Sequence, residues 1–217
     1  MIFADRTDAG RQLAKALISY RGSDPVVYAL PRGGVVVGAE IAHCLDATLD
    51  LVITRKIGHP MLPEYAIAAV GEDGDTMTNP IELASVDRRW FEREVSVQMR
   101  EAQRRRRLYM QDRKPVPVRN KVAIIVDDGL ATGLTMFAAI QDVRRRGPQR
   151  IVVAVPVAPP DTVRKFKLLA DEVIVLSSPE EFRAIGSFYA RFDQVTDNEV
   201  IEILTRSAAA PSQFQST

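Results

Sequence analysis

Val122-Ala-Ile-Ile-Val-Asp-Asp-Gly-Leu-Ala-Thr-Gly-Leu-Thr-Met136 is the stretch on which the reading of this chain turns. Val122 to Val126 form an apolar, mostly β-branched run that is too short for a helix and fits a strand buried on both faces. Polarity returns at Asp127 and Asp128, where such a strand would end. Gly129 to Thr135 then make a tight Gly/Thr loop, and Leu134 to Arg146 has the apolar spacing of a helix. A strand, a glycine turn and a helix N-terminus together present backbone N–H groups to an anion. Thr132 and Thr135 add hydroxyl donors, while two adjacent carboxylates suit sugar hydroxyls or a metal-bound ligand. A site that takes a phosphate and a diol together fits a ribose 5-phosphate. The loop is not a Walker loop, because no lysine follows Gly133, and it lacks the G-x-G-x-x-G spacing of a dinucleotide site.

Working outward, the same arrangement occurs once more upstream. Val26 to Leu30 is a short buried strand, Pro31-Arg-Gly-Gly34 a turn, and Val35 to about Leu45 an apolar helix. Paired glycines admit a close anion, and Arg32 offers a fork of donors. Leu49 to Thr54 is the next strand, with Arg55 and Lys56 leaving its carboxyl end, the edge at which open α/β sheets bind ligands. Tyr65 to Val70 and Asp75 to Thr78 alternate as two strands about the turn Gly71–Gly74. Downstream, Arg150 to Val155, Pro160 to Leu169 and Glu172 to Leu176 read as strand, helix and strand. This rhythm predicts an α/β fold, a parallel sheet flanked by helices with a Rossmann-like core. Helices are also expected over Asp8–Tyr20, Leu83–Gln111 and Asp197–Arg206, and a disordered tail from Ser207.

The Asp-Asp-Gly loop, matched from Ala123 to Thr135, resembles the signature of the type I phosphoribosyltransferase family. Closest in overall pattern are functionally unassigned bacterial phosphoribosyltransferase-domain proteins, which share Leu-Pro-Arg-Gly-Gly, Arg-Lys-Ile-Gly and Asp-Asp-Gly-Leu-Ala-Thr-Gly in this order. The resemblance covers roughly residues 26–176 and implies a single domain over 1–206, with a small C-terminal hood from 177. It further implies Mg²⁺-dependent transfer of ribose 5-phosphate from phosphoribosyl pyrophosphate to a nitrogen nucleophile, a nucleobase. On that reading Gly129, Leu130, Ala131, Thr132, Gly133 and Thr135 hold the 5-phosphate, and Asp127 and Asp128 fix the ribose hydroxyls. Arg32, Gly33, Gly34, Arg55 and Lys56 take the pyrophosphate, and Mg²⁺ is held through substrate oxygens, not by protein ligands. Residues 55–64 would form a mobile lid. Phe182, Phe188 and Tyr189, with Phe192, would line the acceptor. Family members acting on 6-oxopurines carry a lysine after the strand that follows the phosphate loop. Here Val155-Pro-Val-Ala-Pro159 has none, which argues against such an acceptor. A nucleotide-sensing regulator on the same fold is the alternative.

Composition adds bounds. Lys plus Arg number 29 against 28 Asp plus Glu, so net charge does not point to nucleic acid. Cys44 is the single cysteine, and the two histidines form no zinc pattern. His59, in a loop beside Pro60, reads as exposed and not as a general base. Arg104–Arg107 is expected to be a solvated helix face with Glu92, Glu94 and Glu101 as partners. The opening MIFADRTDAG does not read as a signal peptide and no apolar run reaches a membrane span, so a cytoplasmic protein is expected, as a homodimer on the family's pattern.

Overall fold

The computed structural model describes residues 1–78, 80–111 and 113–209. In chain order the elements begin with α1 (Arg6–Ala16), β1 (Val26–Ala29), α2 (Gly33–Leu45) and β2 (Thr48–Leu51). The strands β3 (Thr54–His59), β4 (Leu62–Gly71) and β5 (Thr76–Thr78) follow, then α3 (Pro80–Leu83) and α4 (Arg88–Met110). The second half holds β6 (Val122–Val126), α5 (Leu134–Arg145), β7 (Arg150–Val157), α6 (Pro160–Phe166), β8 (Glu172–Ser177) and α7 (Asp197–Ala209).

β6 lies at the centre of a five-stranded sheet of order β2–β1–β6–β7–β8, and every pairing in it is parallel. All five residues of β6 are buried because the sheet is covered on both faces. Ile124 and Val126 point to a core built with Leu13, Ala14, Val37, Ile41 and Leu204 from α1, α2 and α7. Ala123 and Ile125 point the other way, to Met136, Ile140, Val143 and Phe166 from α5 and α6. Successive side chains on a strand take opposite faces, so five consecutive apolar residues are what this central position requires. Strand order runs outward in both directions from the β1–β6 pair. The loops leaving those two strands therefore flank the switch point, where such sheets leave a crevice.

The second sheet is antiparallel, β3–β4–β5. Ile57, Ile67 and Val70 pack with Phe91, Trp90 and Met99 of α4. Residues 55–64, expected as a mobile lid, take the form of β3, its turn and the start of β4. The hairpin is irregular on either side of Gly58, where an added Cβ would lie 2.0 Å from the Pro63 carbonyl oxygen. The helix expected over 83–111 is broken, and Asp87 caps the start of α4 by accepting from the Trp90 N–H at 2.8 Å. Of the tail expected to be disordered, 207–209 complete α7, and 210–217 lie outside the described residues. Among the described residues no helix is long and apolar enough to cross a membrane.

Candidate active site

Two helix N-termini meet at the switch point. The register pairs Ala29 with Val126, so Pro31–Gly34 and Asp127–Gly133 leave adjacent strands side by side. The contact between them is tight enough to explain the paired glycines. A Cβ on Gly33 would fall 1.9 Å from Asp128 Oδ2, and one on Gly34 would fall 2.9 Å from Asp127 Cα. Each loop opens a long helix, α2 or α5, whose partial positive end favours anions. The Pro31–Arg32 peptide is cis.

The loop before α5 is fastened by backbone and not by long side chains. The Leu130 N–H donates to the Val157 carbonyl at 2.9 Å, and the Thr162 hydroxyl donates to the Ala131 carbonyl at 2.8 Å. Gly133 adopts φ 77°, a left-handed conformation that suits glycine, and Phe166 stands 2.4 Å from where its Cβ would be. Leu130 is buried and fills the core beneath the loop, whereas Thr132 is exposed and Thr135 half-buried. Among the described residues none supplies an acceptor for the Thr132 and Gly133 amides, which precede the first turn of α5.

Asp127 and Asp128 differ in their partners. Asp127 Oδ1 accepts from the Asp128 N–H at 2.8 Å, a local turn that fixes its own carboxylate. Asp128 Oδ2 accepts from Arg6 Nε at 2.7 Å, and both side chains are only 12% exposed. Burial pushes both carboxyls above the ordinary aspartate value, Asp127 most, with the neighbouring Asp128 charge adding to it. Lys56 and Arg6 act in the opposite sense on Asp127, and Arg6 does so on Asp128. A raised native value means that Asp127 binds more protons folded than unfolded. Its cost to stability is therefore present at neutral pH and fades as pH falls through the native value. Asp127→Asn is expected to raise stability at pH 7 by ~1 kcal/mol. That gain should shrink as the pH is lowered, and denaturation across a pH series measures it. A gain that grows on acidification would contradict the charge argument.

The structure divides the expected cations. Lys56 sits in the field of Asp127. Arg55 reaches the other way and donates from Nε to Gln98 Oε1 of α4 at 3.1 Å, where burial and Arg105 lower its pKa. Arg32 lies 3.6 Å from Asp197 at the start of α7, and Asp197 also accepts from the Tyr109 hydroxyl at 2.6 Å. Burial, then this bond, push the Tyr109 hydroxyl up to about 12, so it stays a donor. The Thr54 hydroxyl donates to the Thr135 carbonyl at 3.3 Å, which ties the base of β3 to the first turn of α5.

The aromatic residues expected to line an acceptor split as well. Phe182 and Phe188 stack with centroids 5.3 Å apart and are half-exposed. Tyr189 is 6% exposed and packs with Phe3 and Phe192, and its hydroxyl donates to the Asp128 carbonyl at 2.6 Å. Burial, with Asp128 nearby, pushes that hydroxyl up, so it remains protonated. Tyr189 is thus a buried support of Asp128 and has no open face for a base. Between these aromatics, Ile185 closes over Gly129, 2.7 Å from where its Cβ would lie. Arg6, Asp197, Tyr109 and Gln98 were not legible as site residues. Each is brought in from far along the chain, and none carries a local motif.

The arrangement brings two helix N-termini together with a pair of acids between them. Residues 3–183 match the phosphoribosyl transferase domain family. The chain is 42% identical over 208 residues to proteins of Mycobacterium tuberculosis strains CDC 1551 and H37Rv, each named "putative phosphoribosyl transferase". Those matches cover 95% of this chain and 47% of each relative, so the chain spans about half the length of the curated relatives it matches. It is also similar to the crystal structure of TT1426 from Thermus thermophilus, with 44% identity and a TM-score of 0.82 over 95% of this chain and 99% of that one. With the family signature over most of its length and that signature's two loops in contact, the chain belongs to the phosphoribosyl transferase domain family.

Proposed function

We propose that this protein transfers ribose 5-phosphate from phosphoribosyl pyrophosphate to a nitrogen nucleophile of a nucleobase, releasing pyrophosphate. The observation that carries the reading is the packing of Gly33 and Gly34 directly on Asp128 and Asp127. On this reading a leaving-group site and a diol site would lie side by side, as a reaction at C1 of the sugar demands. The 5-phosphate would take the amides and hydroxyls of Gly129–Thr135 at α5, and the pyrophosphate the start of α2 with Arg32. As the C1–O bond breaks, positive charge grows on the sugar and negative charge on the departing pyrophosphate. The acids favour the first, while Arg32 and Lys56 favour the second, Arg55 being turned away to Gln98. Positioning supplies much of the rest.

Mg²⁺ fits this reading through its substrate. Among the described residues no group of three or more His, Cys, Asp or Glu side chains could hold a metal. The pyrophosphate and ribose oxygens would be its ligands, and it would neutralise leaving-group charge. Phe182 and Phe188 would offer the acceptor a stacking face, and Val155-Pro-Val-Ala-Pro159 at the end of β7 holds no lysine to read a 6-oxo group. The regulator reading is separated from this one by the ligand itself.

Calorimetry of phosphoribosyl pyrophosphate with Mg²⁺ tests the reading. Wild type is expected to bind it, and the double variant Asp127→Asn/Asp128→Asn to bind at least ~30-fold more weakly, the scale of losing two charge-assisted contacts. Binding of nucleoside monophosphates but not of the pyrophosphorylated sugar would favour a sensor.

A further inference from the structure

Asp128 is held by a part of the chain that no loop motif announces. Arg6, in the first turn of α1, donates from Nε to Asp128 Oδ2 at 2.7 Å and from Nη1 to the Asp193 carbonyl at 2.7 Å. Its guanidinium carbon lies 3.8 Å from the centroid of Phe192, so the plane is clamped from a third side. The clamp is itself built by pairing of the chain start with the segment after β8. The Phe3 N–H donates to the Phe188 carbonyl and the Ala190 N–H to the Phe3 carbonyl, each at 2.8 Å, and Arg191 pairs with Asp5 at 2.6 Å. From the same segment, Tyr189 grips the backbone of Asp128. The missing Cβ of Gly33 leaves the room that the Asp128–Arg6 pair fills, since Arg6 Nε is only 2.8 Å from that position.

We propose that Arg6 is a positioning residue for the sugar-diol site, aiming the Asp128 carboxylate and supplying the counter-charge that lets two adjacent acids stand in one crevice. The inference rests on the proposed reading of Asp127 and Asp128 as the diol acids. An ordinary surface ion pair would add little, but this one is desolvated, fixed at two guanidinium nitrogens and stacked. The guanidinium occupies one carboxylate oxygen and leaves Oδ1 of Asp128 for a sugar hydroxyl. Asp127, on which the Lys56 charge acts more strongly than that of Arg6, then supplies the second acceptor. The charged and titratable groups about Asp128 are Arg6 from α1, Asp127 beside it, Tyr189 from the segment after β8 and, across Asp127, Lys56 from β3.

The test compares wild type with Arg6→Met and Arg6→Lys by calorimetry of phosphoribosyl pyrophosphate with Mg²⁺ across a pH series, and by carboxyl-carbon NMR of Asp128 without ligand. Arg6→Met is expected to weaken binding about tenfold at pH 7, roughly one charge-assisted hydrogen bond. It should also move the acid limb of binding, and the Asp128 titration, to higher pH, and Arg6→Lys should restore part of each. Binding unchanged in Arg6→Met overturns the proposal and leaves the donor site intact. Weaker binding with an unmoved acid limb overturns it too, because a merely structural role would give that result. Should wild type bind no phosphoribosyl pyrophosphate, the transferase reading fails, and the ligand-free titration alone judges Arg6: an unmoved Asp128 titration sinks its role. If Arg6→Met does not fold, Phe192→Leu, which removes only the stacking face, is expected to shift both readouts the same way by a smaller amount, and no shift overturns the idea.

Discussion

Asp50→Ala is expected to destabilise the protein by about 3–5 kcal/mol, the usual cost of leaving one partner of a buried pair without its counter-charge. Asp50 is fully buried in β2, at the edge of the parallel sheet. Its carboxylate accepts from the Leu51 N–H at 2.7 Å, the Val116 N–H at 2.9 Å and Arg106 Nη2 at 3.0 Å. Arg106 in turn donates to the Leu51 carbonyl at 2.7 Å and faces Glu72 at 3.7 Å. Arg146, which pairs with Asp142, lies 3.5 Å from the same Glu72. The network thus stitches β2, α4, the turn between β4 and β5, and the end of α5. Alanine would leave two backbone donors and a guanidinium buried with too few acceptors. Against a total stability of roughly 5–15 kcal/mol for a domain, that is a large share. Urea denaturation measures it, and Asp50→Leu/Arg106→Met is expected to recover much of the loss because both charges leave together. A loss under ~1 kcal/mol for Asp50→Ala would show that water or Glu72 already compensates Arg106.

The same network marks where sequence reasoning reaches its end. The run Arg104–Arg107 reads as a solvated face with glutamate partners. Arg104 and Arg105 do pair with Glu101, at 2.7 and 3.0 Å. Glu92 pairs instead with Arg88, and Glu94 accepts from Gln98. Arg106 turns inward to an aspartate 56 positions away. Nothing local to a polar helix distinguishes this inward-facing arginine from its neighbours, since its partner is chosen by tertiary packing. By contrast β6, its diacid and both glycine loops were legible, because strand burial, polarity and turn chemistry are written in contiguous residues. The parallel sheet followed from their repetition. The β3–β4 hairpin was not, because Arg55-Lys-Ile-Gly-His-Pro60 looks like a charged loop. Its one deeply buried side chain, Ile57, is too little to register as a period. Tyr189 is misread for a related reason. An aromatic near a site has the same letter whether its ring faces ligand or core, and only the bond to Asp128 decides.

Gly33→Ala is expected to reduce phosphoribosyl pyrophosphate binding about 100-fold, close to 3 kcal/mol, while lowering stability by only about 1–3 kcal/mol. The added methyl would sit 1.9 Å from Asp128 Oδ2, 2.7 Å from its Cγ and 2.8 Å from Arg6 Nε. A carboxylate at the end of a free side chain could swing away cheaply. This one is held by Arg6 and, through its backbone, by Tyr189, so relief must come from breaking the clamp or from moving the start of α2. Either escape separates the proposed leaving-group loop from the proposed diol acids, and the loss therefore falls on binding more heavily than on folding. Gly71→Ala is the matched control, because a Cβ there meets nothing within 4 Å, and it is expected to alter neither quantity. Calorimetry and denaturation on both variants decide the matter. Gly33→Ala with wild-type affinity would mean that Asp128 can leave its place without consequence, and it would remove the packing on which the donor site has been built.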